Sequence, residues 1–242
     1  MRLKFCIAAA LLTSTSAIAA DLSPQVAEPV APVAVYDWTG FYAGVSAGYV
    51  HHSAEVRDIS PGVAPGPFSY SADTGLGSGQ IGYNYQINNF VLGAEGDIGY
   101  MGGDGKGIIG STNAGSHQDL TLDGGVYGDA TARLGYAFGP VLLYAKGGFA
   151  FFNGEAKQAT TNPGYAPTGT DTFTGWTIGG GLEYLLTQNV SVKVEYQHFD
   201  FGEQDGYQTA VVADPPTPAG FRFLNKTELT AETVKVGLNY RF

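Results

Sequence analysis

Two carboxylates spaced two residues apart are the first candidates for chemistry in this sequence. Glu95 and Asp97 lie in the stretch FVLGAEGDI, where alternation typical of a strand places both on one face, about 6.5 Å apart along the chain. Such a pair could serve as acid and base in hydrolysis. The same face of the predicted strands also carries Arg133, Lys146 and Lys193, so the sequence favours ion pairing over catalysis.

A glycine pattern near this pair matches the fingerprint of a dinucleotide-binding loop. Gly77, Gly79 and Gly82 fit G-x-G-x-x-G, and Asp97 lies twenty residues beyond the first glycine. The fingerprint requires a helix after its last glycine, whereas residues 82–87, GYNYQI, continue the alternation of a strand. The glycines are therefore interpreted as residues that relieve crowding within a strand.

Three histidines lie at the end of a predicted strand or in a long connection. His51 and His52 end the first strand and His117 lies in the second long connection, so they are candidates for binding heme iron or a divalent metal. The alternative, which the sequence favours, is that they are solvated loop residues. His198 precedes Phe-Asp-Phe and has no neighbouring Ser, which leaves a membrane-embedded hydrolase without its nucleophile.

The elements that must position these groups all show alternation of apolar and polar residues. It is strictest at the end of the chain, ETVKVGLNYRF, where the face formed by alternate residues from Val234 to Phe242 is entirely apolar. No segment between Trp38 and Phe242 has helical periodicity, so an all-β domain is predicted. The eight predicted strands are Gly40 to Val50, Thr74 to Ile87, Phe90 to Tyr100, Leu120 to Phe138, Val141 to Asn153, Phe173 to Leu186, Val190 to Phe201 and Leu229 to Phe242.

The connections between these strands alternate in length. Those after the second, fourth and sixth strands have two or three residues, as antiparallel hairpins prefer. Those after the first, third, fifth and seventh strands are long, polar and rich in Gly and Pro. Short turns at one end and long loops at the other are typical of an outer-membrane barrel. The pattern predicts an eight-stranded antiparallel up-and-down transmembrane β-barrel with a polar, plugged interior.

The polar face of the strands is predicted to fill the barrel, and the apolar face to contact lipid. Eight strands leave room inside only for side chains, and buried charges require partners, so a salt-bridge plug is expected rather than a wide channel. Aromatic residues should form two girdles facing the membrane interfaces, with Trp38 in one and Phe173 and Phe199 in the other. The predicted interior charge network consists of Glu95, Asp97, Arg133, Lys146, Glu183, Lys193, Glu195, Lys235 and Arg241.

The remainder of the chain predicts export. Residues 1–20 have the basic start, apolar run and small-residue site of a signal peptide, 21–37 form a Pro-rich periplasmic lead-in, and 38–242 form the barrel. The single cysteine, Cys6, lies in the leader, so disulfides are excluded from the mature chain. Removing the two leader bases from a formal net charge of −10 leaves −12, which argues against nucleic acid as a partner.

Four stretches carry a resemblance to a known family. DWTGFYAGVSAGY from Asp37, ARLGYAFG from Ala132, KVEYQHFDFG from Lys193 and the terminal alternation ending in Arg-Phe resemble small outer-membrane β-barrel surface antigens of alphaproteobacteria. That family includes major immunogenic outer-membrane proteins and hemin-binding proteins. The resemblance implies that the barrel-assembly machinery recognises the final strand, with Tyr240 and Phe242 carrying the signal.

The function expected from these observations is that of a structural, surface-exposed protein of the outer membrane, with no enzymatic activity and no cofactor. It would contribute to envelope integrity and to surface interactions. The expected partners are outer-membrane lipid and lipopolysaccharide and the assembly machinery. The alternatives are a heme-binding surface protein or an adhesin that uses its long loops to bind a host ligand and, less favoured, a membrane-embedded hydrolase.

Overall fold

The computed structural model describes residues 36–58, 68–112, 116–154, 156–160, 165–166, 172–210 and 222–242. The predicted leader and nearly all of the predicted lead-in lie outside these residues. The strands are β1 (Gly40–Asp58), β2 (Phe68–Ile87), β3 (Phe90–Thr112), β4 (Ser116–Phe138), β5 (Val141–Asn153), β6 (Ala156–Thr160), β7 (Tyr165–Ala166), β8 (Thr172–Leu185), β9 (Val190–Ala210) and β10 (Arg222–Arg241).

Eight of these strands close into an antiparallel barrel. Each pairs with its neighbour in the order β1, β2, β3, β4, β5, β8, β9, β10, and β10 pairs back onto β1. The short strands β6 and β7 extend the sheet beside β4 and β9. The predicted eight-stranded barrel is therefore confirmed. Among the residues described, no helix is long and apolar enough to cross a membrane.

The short turns lie where the sequence predicts them. Strands β2 and β3 are joined by Asn88-Asn89, β4 and β5 by Gly139-Pro140, and β8 and β9 by residues 186–189. Asn88 and Gly139 have φ angles of 54° and 63°, which suit the left-handed conformation that Asn and Gly tolerate in two-residue hairpin turns. We call this end of the barrel the turn end and the opposite end the loop end.

Several strands are longer at the loop end than the alternation predicts. The first predicted strand ends at Val50, whereas β1 continues to Asp58, paired with both β2 and β10. Strands β3 and β9 likewise continue to Thr112 and Ala210. Backbone pairing does not require an apolar outer face once a strand leaves the membrane. The periodicity therefore ends before the strand does.

Side chains alternate between the two surfaces of the barrel wall along each strand. In β1, Phe41, Val45 and Tyr49 are exposed outward, whereas Tyr42, Ser46 and Val50 are buried inside. The outer surface of the barrel therefore presents a belt of exposed apolar residues, and the alternate residues of each strand fill the interior. This alternation places the functional candidates inside the barrel or in a row on its outer wall.

Candidate functional site

A layer of charged side chains fills the middle of the barrel. Eight of the nine predicted network residues lie in this layer, each with no more than 4% of its surface exposed. They come from six strands, so the layer forms only when the barrel closes. Its members are Glu95 and Asp97 on β3, Arg133 on β4, Lys146 on β5, Glu183 on β8, Lys193 and Glu195 on β9, and Lys235 on β10.

Glu95 is the hub on one side of the charged layer. Its carboxylate lies 2.8 Å from Lys146 Nζ, 3.4 Å from Arg133 Nη1 and 3.5 Å from Lys193 Nζ. The Tyr42 hydroxyl donates a further hydrogen bond of 2.7 Å to Glu95 Oε2. This carboxylate is satisfied by cations and a phenol, which is a structural role and not that of a catalytic acid.

Glu195 and Glu183 complete the pairing. Glu195 lies 3.0 Å from Lys146 Nζ and 3.2 Å from Lys235 Nζ, and accepts a hydrogen bond of 2.6 Å from Tyr144. Glu183 lies 2.9 Å from Arg133 Nη2. The Arg133 guanidinium also packs 3.9 Å from the centroid of the Tyr144 ring. The sharing of cations between carboxylates makes the layer one connected network.

Inward glycines give this network its space. A Cβ added to Gly181 would lie 2.8 Å from the Tyr144 hydroxyl, and one added to Gly82 would overlap the hydroxyl end of Tyr42. Gly77, Gly79 and Gly82 all lie within β2, where no helix follows. The apparent dinucleotide fingerprint is therefore part of a strand, in which Gly82 makes room for the interior Tyr42 side chain and Gly77 and Gly79 lie on the outer face.

Two interior residues differ from the sequence prediction. Arg241 lies at the turn end, where its guanidinium donates a hydrogen bond of 2.6 Å to the Gln188 carbonyl, because β10 has by then reached the mouth of the barrel. It is therefore outside the charged layer. Asp129 of β4, which the sequence reasoning missed, is buried inside with 7% exposure. Its inward position follows from its even spacing to Thr131 and Arg133 on the same strand.

Apolar residues close the barrel above the charged layer. Phe201 packs against Phe152 and Phe199, with ring centroids 5.8 and 5.7 Å apart. Tyr127 meets Phe199 edge to face at 5.9 Å. Phe173 and Phe199, predicted to face the membrane interface, point into the barrel instead. We call this set the loop-end layer; it comprises Val50, Ala54, Ala72, Leu76, Met101, Tyr127, Ala150, Phe152, Phe173, Phe199, Phe201, Leu229 and Ala231.

A second apolar cluster, the turn-end layer, closes the other mouth. It contains Trp38, Val91, Ala137, Leu142, Tyr144 and Leu185. The prediction that Trp38 belongs to a membrane girdle is therefore wrong: its side chain is 2% exposed and sits inside the mouth. The residue precedes β1, so strand alternation does not determine its direction.

The short segment of residues 36–39 holds Trp38 in this position, and we call it the strap. The Trp38 backbone N–H donates to Gln86 Oε1 at 2.7 Å, and its indole N–H donates to the Gly139 carbonyl at 3.3 Å. Within the strap, the Thr39 backbone N–H donates to the Asp37 carboxylate at 2.8 Å and lowers the pKa of that carboxyl. Contacts to the end of β2 and to the turn between β4 and β5 hold the strap across the mouth.

The candidate heme-binding histidines do not form one site. His51 points outward, and its Nδ1 lies 2.5 Å from Asp73 Oδ1. His52 points inward and is buried beside the Phe152 ring, 5.8 Å between centroids. Backbone pairing places His117 opposite Ser111 near the loop end, but its side chain lies outside the described residues. In the part of the chain that the structure describes, no three side chains are grouped to hold a metal ion.

A row of alternating histidines and acids crosses four neighbouring strands on the outer wall. His198, Glu232, His51 and Asp73 are successive register partners on β9, β10, β1 and β2. His198 Nδ1 lies 2.6 Å from Glu232 Oε1, and the Tyr196 hydroxyl donates to the other oxygen of Glu232. In the sequence, each histidine of this row follows a tyrosine by two residues, as Tyr49-Val50-His51 and Tyr196-Gln197-His198. This repeated Tyr-x-His spacing is the signal that could have predicted the row.

Comparison with known proteins identifies the family. A family model described as an outer membrane protein beta-barrel domain matches residues 7–242. The chain belongs to this outer-membrane β-barrel family. It is 33% identical to the 31 kDa outer-membrane immunogenic protein of Brucella melitensis, with 96% of each chain covered. It is 31% identical to the 25 kDa outer-membrane immunogenic protein of Brucella abortus, with 98% of this chain and 96% of that one covered.

More distant matches were also found among known proteins and solved structures. The 22 kDa outer membrane protein of Rhizobium leguminosarum is 29% identical over 73% of this chain and 70% of its own. Among solved structures, the attachment invasion locus protein Ail of Yersinia pestis covers 84% of this chain and 99% of its own, at 16% identity and a TM-score of 0.38. The family and the outer-membrane location expected from the sequence are confirmed.

The outer wall of this outer-membrane barrel carries the belt expected of its family. Ile81, Leu134 and Trp176 are about half exposed or more, on strands well separated around the barrel. At the turn end, Tyr240 and Phe242 are 51% and 77% exposed and pack edge to face at 5.3 Å. The two residues proposed as an assembly signal are thus available on the surface at the end of the last strand.

Proposed function

We propose that this protein is a sealed structural barrel that contributes to the integrity of the outer membrane and presents its loop end for surface contacts. The observation that carries the proposal is the filling of the barrel interior. Three layers of buried side chains follow one another along the barrel, apolar at each end and charged in the middle. The role requires no catalysis and no cofactor.

The charged layer supports closure most strongly. An ion that crossed it would have to displace side chains that are already paired, such as Lys146 with Glu95 at 2.8 Å and with Glu195 at 3.0 Å. Breaking a buried pair costs about 3 to 5 kcal/mol. The two apolar layers add barriers that carry no groups to solvate an ion.

The outer wall supports the proposed partners. Its apolar belt would contact lipid and the acyl chains of lipopolysaccharide, and tyrosines such as Tyr49 and Tyr196 would lie where the belt meets the polar headgroups. The exposed chain end would be bound by the barrel-assembly machinery before the barrel closes. The position of the exposed residues on the wall supports the contact with lipid, and the resemblance of the final strand to that of the family supports the assembly role.

Planar-bilayer recording tests closure directly. Refolded full-length protein should give no large, steady conductance, while a trimeric porin added to the same bilayers serves as the positive control. The variant Trp38→Ala should also stay closed, because the charged and loop-end layers remain. A steady conductance of porin size from the unaltered protein would refute the sealed barrel.

Loss of the gene tests the contribution to the envelope. Cells that lack the protein should become more sensitive to detergent and to large antibiotics, and the unaltered gene should restore resistance. A variant with residues 211–221 shortened to a Gly-Ser linker is the matched control. Restoration by this variant would assign envelope integrity to the barrel, whereas unchanged sensitivity of the deletion strain would contradict the structural role.

A further inference from the structure

The described interior of the barrel has one more carboxylate than it has cations. Five acids, Glu95, Asp97, Asp129, Glu183 and Glu195, are buried there with four bases, Arg133, Lys146, Lys193 and Lys235. Four of the acids lie within 4 Å of a base. Among the described residues, the exception is Asp129, which accepts a hydrogen bond of 3.0 Å from the neutral Gln197 side chain.

Asp129 faces a second carboxylate across the sheet. Asp97 on β3 and Asp129 on β4 are register partners, and both point into the barrel. Directly opposed residues of antiparallel strands have Cβ atoms about 4.5 to 5.5 Å apart, so the two carboxyl groups are neighbours. Each is 7% exposed or less, so water does little to screen one from the other.

Each carboxyl group has one satisfied oxygen and one free oxygen. Asp97 Oδ2 accepts from Ser78 at 3.1 Å and from Lys235 at 3.4 Å, and the second oxygen of Asp129 accepts from Gln197. The Oδ1 atoms of both make no hydrogen bond to a described residue. The buried hydroxyl of Tyr127 lies beside Asp97 and Ser78.

We propose that Asp97 and Asp129 bind one proton between them, so that the five buried acids and four buried bases of the described interior carry no net charge. One carboxyl group is then an acid whose O–H donates to the free oxygen of the other. Two adjacent buried carboxylates cannot both ionise without a large electrostatic cost, and a shared proton removes it. The proton leaves Lys235 paired with the remaining negative charge.

A bound metal ion fits this position less well. Mg²⁺ and Ca²⁺ require six or more oxygen ligands, whereas the described side chains offer the two free carboxyl oxygens and the Tyr127 hydroxyl. The Lys235 ammonium, 3.4 Å from Asp97, would repel a cation. A proton needs no additional ligands and no space.

Three titratable side chains of the described structure lie around the Asp97 and Asp129 pair. Lys146 faces it from β5, Lys235 from β10 and Tyr127 from β4 itself. Among the described residues, strands β2, β8 and β9 contribute the neutral groups Ser78, Thr177 and Gln197 to this hydrogen-bonded group. Both lysines are needed as cations by Glu195, so the pair is the group that can release a proton without breaking an ion pair.

The shared proton predicts a pH dependence of definite sign. In the unfolded chain an aspartate ionises near pH 3.9, so at neutral pH the folded barrel binds one proton more than the unfolded chain. Stability then falls as pH rises above this value until the folded barrel releases the proton, by about tenfold in the unfolding equilibrium constant per pH unit. Replacing Asp129 by the neutral Asn removes the extra proton and therefore this slope.

Infrared spectroscopy of the refolded full-length protein in detergent tests the proposal. At pH 7 we expect the carbonyl stretch of a protonated carboxylic acid, lost in Asp129→Asn and retained in the surface control Asp73→Asn. Should Asp129→Asn fail to refold, Asp97→Asn should remove the same band. Absence of the band from the unaltered protein, or its persistence in both interior variants, would overturn the shared proton.

Urea unfolding between pH 6 and pH 9 provides an independent measurement. The unaltered barrel should lose stability with rising pH more steeply than Asp129→Asn, and the variant Glu228→Gln, at an exposed position on β10, should follow the unaltered barrel. Equal slopes would contradict the proposal. Stability that changes when sodium is exchanged for a large organic cation at constant ionic strength would show that a metal cation occupies the site, which also overturns it.

Discussion

Replacing Lys146 by methionine tests how far the charged layer holds the barrel together. Methionine keeps most of the length of the side chain and removes the charge that lies 2.8 Å from Glu95 and 3.0 Å from Glu195. The chain also offers a matched control on its surface. Lys226 lies at the same 2.8 Å from Glu203, but these two side chains are 41% and 53% exposed.

The burial of the two pairs sets the expected magnitudes. The side chains of Lys146 and Glu95 are fully buried, so the substitution leaves carboxylates without full compensation, at a cost of about 3 to 5 kcal/mol. Exposed pairs contribute about 0 to 1 kcal/mol. We therefore expect Lys146→Met to raise the unfolding equilibrium constant about a hundredfold or more, and Lys226→Met to raise it less than tenfold.

Urea unfolding of both refolded variants, followed by tryptophan fluorescence and by the gel shift on heating, gives these free energies. The two substitutions are identical, and both lysines lie 2.8 Å from a glutamate. The difference in stability between the variants therefore measures the effect of burial. The double variant Lys146→Met with Glu95→Gln should lose less stability than the sum of the two single losses, because it also removes the carboxylate charge that Lys146→Met leaves without its partner. A Lys146→Met variant as stable as Lys226→Met would refute the reasoning.

Three further experiments address topology, assembly and ligand binding. An impermeant maleimide on intact cells should label Glu203→Cys at the loop end and spare Gln188→Cys at the turn end; the reverse would invert the barrel. Deleting Phe242 should lower insertion in cells yet leave refolding in detergent nearly normal, because an apolar residue at the interface contributes at most about 1.5 to 3 kcal/mol; normal insertion would remove its signal role. In heme titrations, at most one of His51→Ala and His52→Ala should weaken binding, since the two point to opposite faces; loss in both would contradict separate sites.

The barrel itself follows from the sequence because membrane crossing imposes alternation. The turns at Asn88-Asn89 and Gly139-Pro140 are short, carry turn residues and separate strictly alternating segments, so strand order and pairing follow directly. The buried positions of Lys193 and Lys235 follow from the same alternation. Where the wall leaves the membrane, the outward residues become polar and the pattern that marked the strand is lost, as in β1 beyond Val50.

The direction of the aromatic residues could not be predicted in the same way. An aromatic near a strand end suits either the membrane interface or a plug inside the mouth, and composition alone does not distinguish them. Phe199 shares the inward face with Gln197 and Glu195, and strict counting along β9 would have placed it inside. Trp38 precedes its strand, so only the contacts of the strap with Gln86 and Gly139 determine its position.

The three layers of the interior also specify how the strands align. A slip of one residue between neighbouring strands would turn lysines and glutamates toward lipid, so the alternation of apolar and polar residues is enough to exclude it. A slip of two residues preserves every face and is not opposed by alternation. It would move Lys146 by about 6.5 Å along the barrel, away from Glu95 and Glu195. Because the pairs form between side chains from different strands, the charged layer discriminates against the slips that the apolar belt permits. A barrel with an entirely apolar interior would lack that discrimination, so the buried charges contribute specificity of closure as well as stability.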